Sequence, residues 1–302
     1  MNKVVIVGCG NVGMSYAFSL VITKNKVDEL VLIDINKDKV LGEAMDLTHA
    51  AAYNSNRIRI KAGDYGDCND ADIVCICAGR PQEVGETRTD LINKNYAVFK
   101  SIITQINKTN FNGIYLVATN PLDVMTYITY KLSNFKPSKV IGSGTVLDSA
   151  RLRCLIADKL EVSPKNIHAY VIGEHGDSEF IPWSGAMIGL NKTSTYLSEN
   201  DCSKILYEVR TSAYDIINKK GNTCYGIGMC LTNITNAILN NSNEIMTISA
   251  YNKEHKIYFG MPSILNREGV KETQDLELNH EERDRLIDSI DAIKETISKI
   301  KD

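Results

Sequence analysis

No stretch of this 302-residue chain approaches the ~20 consecutive apolar residues that a membrane-spanning helix requires. Nor is a secretory leader expected: Met1-Asn2-Lys3 runs directly into the short apolar run Val4-Val5-Ile6-Val7, with no cleavage site behind it. No membrane association is therefore expected, and the expected compartment is the cytoplasm. Charge of one sign is lacking too. A formal net charge of -3 offers no basic face to a phosphate backbone, so nucleic acid is not an expected partner. The eight cysteines include no C-x-x-C pair, and histidines at zinc-ligand spacing are absent. Reduced, structural cysteines and no metal are expected. Cys75 and Cys77 alternate within an apolar run, as two small hydrophobes on one face of a buried strand. There is no internal repeat, low-complexity tract or linker.

What is present is an ordinary globular composition, 43% apolar and 24% charged, on a chain long enough for one large or two moderate domains. Short β-rich runs at 4–7, 30–33, 73–77, 114–118 and 140–141 alternate with stretches of helical length such as 11–23, 88–109 and 122–133. That alternation predicts a parallel sheet with right-handed crossovers. The rhythm changes after Gly144. A helical pattern follows over 146–160, then a strand around 169–172, a helix near 201–219 and a hairpin around 245–263. Asn279 and Glu282 form a capping box ahead of a terminal helix, whose apolar positions are Leu286, Ile290, Ile293, Ile297 and Ile300. Two packed domains are expected, 1–144 and 145–302, with a site between them.

Gly8-Cys9-Gly10-Asn11-Val12-Gly13 is a G-x-G-x-x-G directly after the first strand and before the first helix. Its glycines permit the tight turn, the approach of a pyrophosphate and close helix–strand packing. Asp34, ending the next apolar run, supplies a carboxylate for ribose hydroxyls and repels a 2′-phosphate, which favours NAD over NADP. The expected fold class is thus α/β: a Rossmann-type doubly wound parallel sheet followed by an α+β domain, expected to hold substrate and the catalytic groups.

Three further motifs carry chemistry. Gly173-Glu174-His175-Gly176-Asp177-Ser178 sets a histidine between glycines and acids. One helical turn brings Asp148 and Arg151 to a common face. The polar loop 79–88 and Asn120 fall at the carboxyl edge of the sheet, where a cleft opens. Acid, base and anion clamp together suit hydride transfer on a hydroxy acid.

Together with G-E-T-R-x-D-L at 85–91, A-T-N-P at 118–121 and L-D-S-A-R at 147–151, these motifs resemble the bacterial L-lactate dehydrogenases of the lactate/malate dehydrogenase superfamily, over essentially the whole chain. The resemblance implies interconversion of pyruvate and L-lactate with NAD, the last step of fermentation to lactate. It makes His175 the general acid–base, Asp148 its orienting partner and Arg151 the two-pronged grip on the substrate carboxylate. Arg88 would polarise the carbonyl from a mobile loop, and Asn120 would hydrogen-bond substrate near the nicotinamide. Gly8, Gly10, Val12, Gly13, Asp34, Lys39, Tyr65, Gly79, Arg80, Ala118, Thr119, Asn120 and Ser143 would lie along the dinucleotide. Gln82 stands where malate enzymes typically carry arginine, and Thr223 matches the small pocket position of the lactate enzymes, so pyruvate is favoured over oxaloacetate. Arg80, two residues earlier, is the cation that a shift of the loop would bring to that pocket. A malate or other 2-hydroxy acid dehydrogenase is the alternative, and a catalytically idle NAD-binding protein a remoter one. The resemblance also implies a homotetramer, here expected to assemble through helix faces because the chain begins on its first strand. Arg153 and His168 match the positions through which bacterial relatives bind fructose 1,6-bisphosphate.

Overall fold

The computed structural model describes residues 1–54, 57–80 and 88–300, with the backbone alone for 88 and 89. The first half comprises β1 (Lys3–Val7), α1 (Asn11–Ile22), β2 (Glu29–Ile33), α2 (Lys37–Ala51), β3 (Arg59–Ala62), β4 (Ile73–Ile76), α3 (Arg88–Ile106), β5 (Ile114–Val117), α4 (Leu122–Ser133) and β6 (Val140–Gly142). Its six strands are parallel and lie in the order β6-β5-β4-β1-β2-β3. The strand at Arg59–Ala62 has no apolar run to announce it. It is a half-exposed edge strand, and Arg59 and Lys61 pair with the buried Glu29 carboxylate on β2 at 2.9 and 3.4 Å.

The period-2 alternation of the strands separates two cores. Val4, Ile6, Leu30, Leu32, Ile73 and Cys75 pack on one face, while Val5, Val7, Val31, Ile33, Val74 and Ile76 pack on the other. The Cys75 and Cys77 sulfurs are 3.6 Å apart, on one face as their spacing predicts, and all eight cysteines are free thiols.

The second half adds α5 (Val146–Leu160), β7 (Ile167–His168), β8 (Met187–Ile188), β9 (Asn191–Lys192), α6 (Glu199–Lys220), α7 (Tyr225–Asn240), β10 (Glu244–Asn252), β11 (Ile257–Asn266), β12 (Gly269–Thr273) and α8 (His280–Ser298). The expected hairpin is β10–β11, and it does not stand apart. It pairs antiparallel with β6 through Ser249 and Gly142, and extends the parallel sheet to nine strands. The expected strand at 169–172 is not formed: the ladder is shifted to β7, and only Ile172 makes a bridge, to Phe180. Here a side chain replaces the ladder, since the Val171 N–H donates to Ser149 Oγ at 2.9 Å. The terminal helix starts as expected, with Asn279 and Glu282 capping each other at 3.0 Å. Among the described residues no helix is long and apolar enough to cross a membrane.

Candidate active site

The glycine turn after β1 is built for close approach. Gly8 has φ +101°, and a Cβ there would meet the Ala78 backbone nitrogen at 2.4 Å. A Cβ on Gly13 would lie 2.0 Å from the Gly8 carbonyl oxygen, whereas at Gly10 nothing stands within 4 Å. Gly10 is also the N-cap of α1 and brings no capping side chain, so first-turn N–H groups face the open space above the turn. Gly13→Ala is accordingly expected to destabilise the protein by about 3–5 kcal/mol and to weaken NADH binding. Thermal unfolding and fluorescence titration check this; an unchanged melting temperature would mean the turn opens freely.

Asp34 follows β2 and already braces this turn. Its Oδ2 accepts the Cys9 N–H at 2.7 Å and its Oδ1 the Asn36 N–H at 3.1 Å, leaving each oxygen a further acceptor direction. Lys39 Nζ donates to the Cys9 carbonyl at 2.7 Å. Cradle, uncapped helix end and an acid with spare acceptor capacity fit a dinucleotide. The other expected contacts follow neighbouring strands along the same edge: Tyr65 beyond β3, Gly79 and Arg80 beyond β4, Ala118, Thr119 and Asn120 beyond β5, and Ser143 beyond β6. Val12 sits half-buried in the first turn of α1. Asn95 of α3, not anticipated from the sequence, ties two of these loops by accepting the Arg80 N–H at 2.8 Å and donating to the Asn120 carbonyl at 3.0 Å.

A cavity of about 260 Å³ opens beside this edge and is lined by Asn120, Asp148, Arg151 and His175 among others. Asp148 lies in the first turn of α5 and is 1% exposed. Its Oδ2 meets His175 Nδ1 at 2.7 Å, and its Oδ1 accepts from the Arg151 guanidinium at 2.7 Å. Burial alone would raise this acid, but the His175 and Arg151 charges outweigh it and hold Asp148 below the usual carboxylate range. Burial likewise opposes the imidazolium, and the Asp148 charge and hydrogen bond prevail, holding His175 up at about 9. The His175 backbone N–H donates to Asp123 Oδ2 at 2.8 Å, and Ser249 of β10 donates to the other Asp123 oxygen. Burial raises Asp123 to about 6 despite those two bonds.

In the sequence Asp123 stands only two residues beyond the A-T-N-P string, with nothing to mark it. Its part in seating the histidine depends on α4 and β10 meeting, which no local pattern shows. Ligand atoms of Asp148, His175 and Glu179 lie within 4.8 Å of one another, yet the Arg151 cation on Asp148 opposes a metal there. Thr223 is half-buried in the α6–α7 connection and is not among the described residues lining this cavity. Gln82 and the Arg88 side chain lie outside the described residues. Arg153 is directed away from the cleft: its Nε donates to the Ala169 carbonyl at 3.2 Å and its guanidinium covers the Tyr170 ring. His168, one residue before Ala169, is exposed on β7.

Two family models together span nearly the whole chain. The NAD-binding domain of lactate/malate dehydrogenase matches residues 2–142, and the alpha/beta C-terminal domain of the same family matches residues 145–302. The chain belongs to the lactate/malate dehydrogenase family. Its cofactor is NAD, since the glycine turn lies within the NAD-binding domain of that family. It is 48% identical over 310 aligned positions to L-lactate dehydrogenase 2 of Bacillus anthracis, covering 99% of this chain and 98% of that one. Among solved structures it is similar to a lactate dehydrogenase from a Medee basin deep-sea metagenome library, with 45% identity, a TM-score of 0.95 and coverage of 99% and 98%. The ligand-bound minor L-lactate dehydrogenase of Enterococcus mundtii superimposes with a TM-score of 0.96 at 39% identity, again over 99% and 98% of the two chains.

Proposed function

We propose that this chain is an NAD-dependent L-lactate dehydrogenase that interconverts pyruvate and L-lactate in the cytoplasm. One observation carries the reading: Asp148 holds His175 on one oxygen and Arg151 on the other, at the mouth of the dinucleotide edge. Bound NADH supplies the hydride, and NAD accepts it in reverse. With Nδ1 engaged by Asp148, the imidazolium presents its other nitrogen to the cleft, ready to protonate a carbonyl oxygen. Asp148, locked ionised, fixes the ring and stabilises its cationic form. Arg151 commits one guanidinium nitrogen to Asp148 and keeps the rest of its fork for a carboxylate. Asn120 orients substrate near the nicotinamide, and Arg88 polarises the carbonyl. Gly8, Gly10, Val12, Gly13, Asp34, Lys39, Tyr65, Gly79, Arg80, Ala118, Thr119 and Ser143 hold the dinucleotide. We place the division between the two domains at Gly144.

Gln82 and Thr223 set the choice of acid. A buried second carboxylate without a partner costs several kcal/mol, and pyruvate's methyl needs none. Turnover of NADH, followed by its absorbance, is expected with pyruvate in preference to oxaloacetate, and Gln82→Arg is expected to move the kcat/KM ratio of the two toward oxaloacetate. An unchanged ratio would remove Gln82 from the pocket.

The assembly is a homotetramer formed through helix faces, with fructose 1,6-bisphosphate as an activator held by Arg153 and His168. Millimolar bisphosphate is expected to lower the KM for pyruvate, and Arg153→Gln to abolish that response while saturated turnover stays unchanged. Superimposable curves with and without the effector would defeat this proposal, as would monomers in light scattering.

A further inference from the structure

The residue after the histidine motif is also an acid, and neither cofactor binding nor the proton transfer at His175 makes use of it. Glu179 is 3% exposed, and it lines the same cavity as Asp148, Arg151 and His175. One carboxylate oxygen lies within 4.8 Å of a ring nitrogen of His175 and of an oxygen of Asp148. Its backbone is pinned, because the Arg210 guanidinium of α6 donates to the Glu179 carbonyl through both Nε, at 3.0 Å, and a terminal nitrogen. The clamp fixes the backbone from which the buried side chain enters the cavity. The charges that face it are Asp148 and Arg151 from α5, His175 from its own loop and Arg210 from α6. Glu174 and Glu282 are engaged elsewhere, the first by Ser178 and the second by Ser184. Asp123 of α4 is directed to the His175 backbone and Ser249.

Resting on the dehydrogenase reading above, we propose that Glu179 is a positioning residue that enters the site as a neutral acid, and that its ionisation is a second event, beside loss of the His175 proton, that closes the site to a substrate carboxylate at alkaline pH. Burial, and then the Asp148 charge, push the Glu179 carboxyl up, while the Asp148 charge and hydrogen bond hold the proton on His175. Neutral Glu179 leaves the cationic side chains in excess, as an incoming carboxylate requires. Once ionised, it places a second anion beside Asp148 and opposes the substrate. Pyruvate reduction then demands two protons, one on each group.

The test is the alkaline limb of kcat/KM for pyruvate. The wild-type enzyme is expected to fall by about a hundredfold per pH unit once both groups are deprotonated, and Glu179→Gln, which imitates the neutral acid, by about tenfold. A one-proton limb in the wild type, or a two-proton limb retained in Glu179→Gln, would overturn the proposal. Infrared spectroscopy at neutral pH decides the protonation without turnover. A protonated-carboxyl C=O stretch is expected in the wild type and is lost in Glu179→Gln; no such difference band would overturn it equally. Absence of any pyruvate-dependent NADH oxidation would strike the dehydrogenase reading instead, and the infrared band would still decide Glu179.

Discussion

Replacing His175 by asparagine is expected to lower pyruvate turnover by about 10²–10⁴-fold and to leave NADH affinity nearly unchanged. The size follows from what asparagine keeps and what it lacks. Its amide can still donate toward Asp148, so the buried carboxylate is not orphaned and Arg151 keeps its partner. It has no titrating nitrogen to present to the cleft. The raised proton affinity of His175 comes from Asp148, and asparagine cannot convert that field into a transferable proton. The glycine turn and Asp34 follow β1 and β2 and feel nothing of the change, so the cofactor still binds. Steady-state turnover beside a fluorescence titration of NADH separates the two effects. Near-normal turnover would displace His175 from its role.

Arg151→Lys is expected to reduce kcat/KM for pyruvate by about 10²–10³-fold, through KM more than through kcat. Lysine preserves the charge beside Asp148 but loses the planar fork, and one ammonium cannot serve Asp148 and a substrate carboxylate with the same geometry. Since removing a charged, partly buried hydrogen-bond partner costs about 2–5 kcal/mol, the effect should far exceed that of a surface cation. A KM within about tenfold of the wild type would mean that the carboxylate is gripped elsewhere.

Much of this site is legible in the chain because its residues sit at local signals. Asp148 and Arg151 are one helical turn apart, and the structure turns that spacing into a direct pair. Asp34 ends an apolar run, and the run is a strand delivering it to the glycine turn. What could not be read locally depends on elements distant in sequence. Asp123 acts on His175 only because α4 lies under the histidine loop, and Glu179 is buried by the packing of α5 and α6. Helix α7 shows the same limit. Gly226, Gly228 and several β-branched residues make it a poor helix by propensity, yet it forms because it crosses α1 closely enough for Tyr16 to meet Thr235 and Ser19 to meet Thr232. A Cβ on Gly228 would stand 2.8 Å from the Ser15 backbone, so the poor helix former is what lets the two helices approach. The edge strand β3 escaped for the opposite reason, being held by ion pairs rather than by an apolar run.

The hairpin that joins β6 makes the sequence boundary at Gly144 a poor place to cut. Its strands arise a hundred residues later, yet Ser249 of β10 pairs with Gly142 of β6, and Tyr258 of β11 donates its hydroxyl to the Pro137 carbonyl at 3.1 Å. A fragment ending at residue 144 would carry β6 as a bare, fully apolar sheet margin, prone to pairing with another copy. The remainder would lose the strand against which its hairpin is registered. Nicked or split versions of this protein should therefore regain form only when both pieces meet, as in fragment complementation.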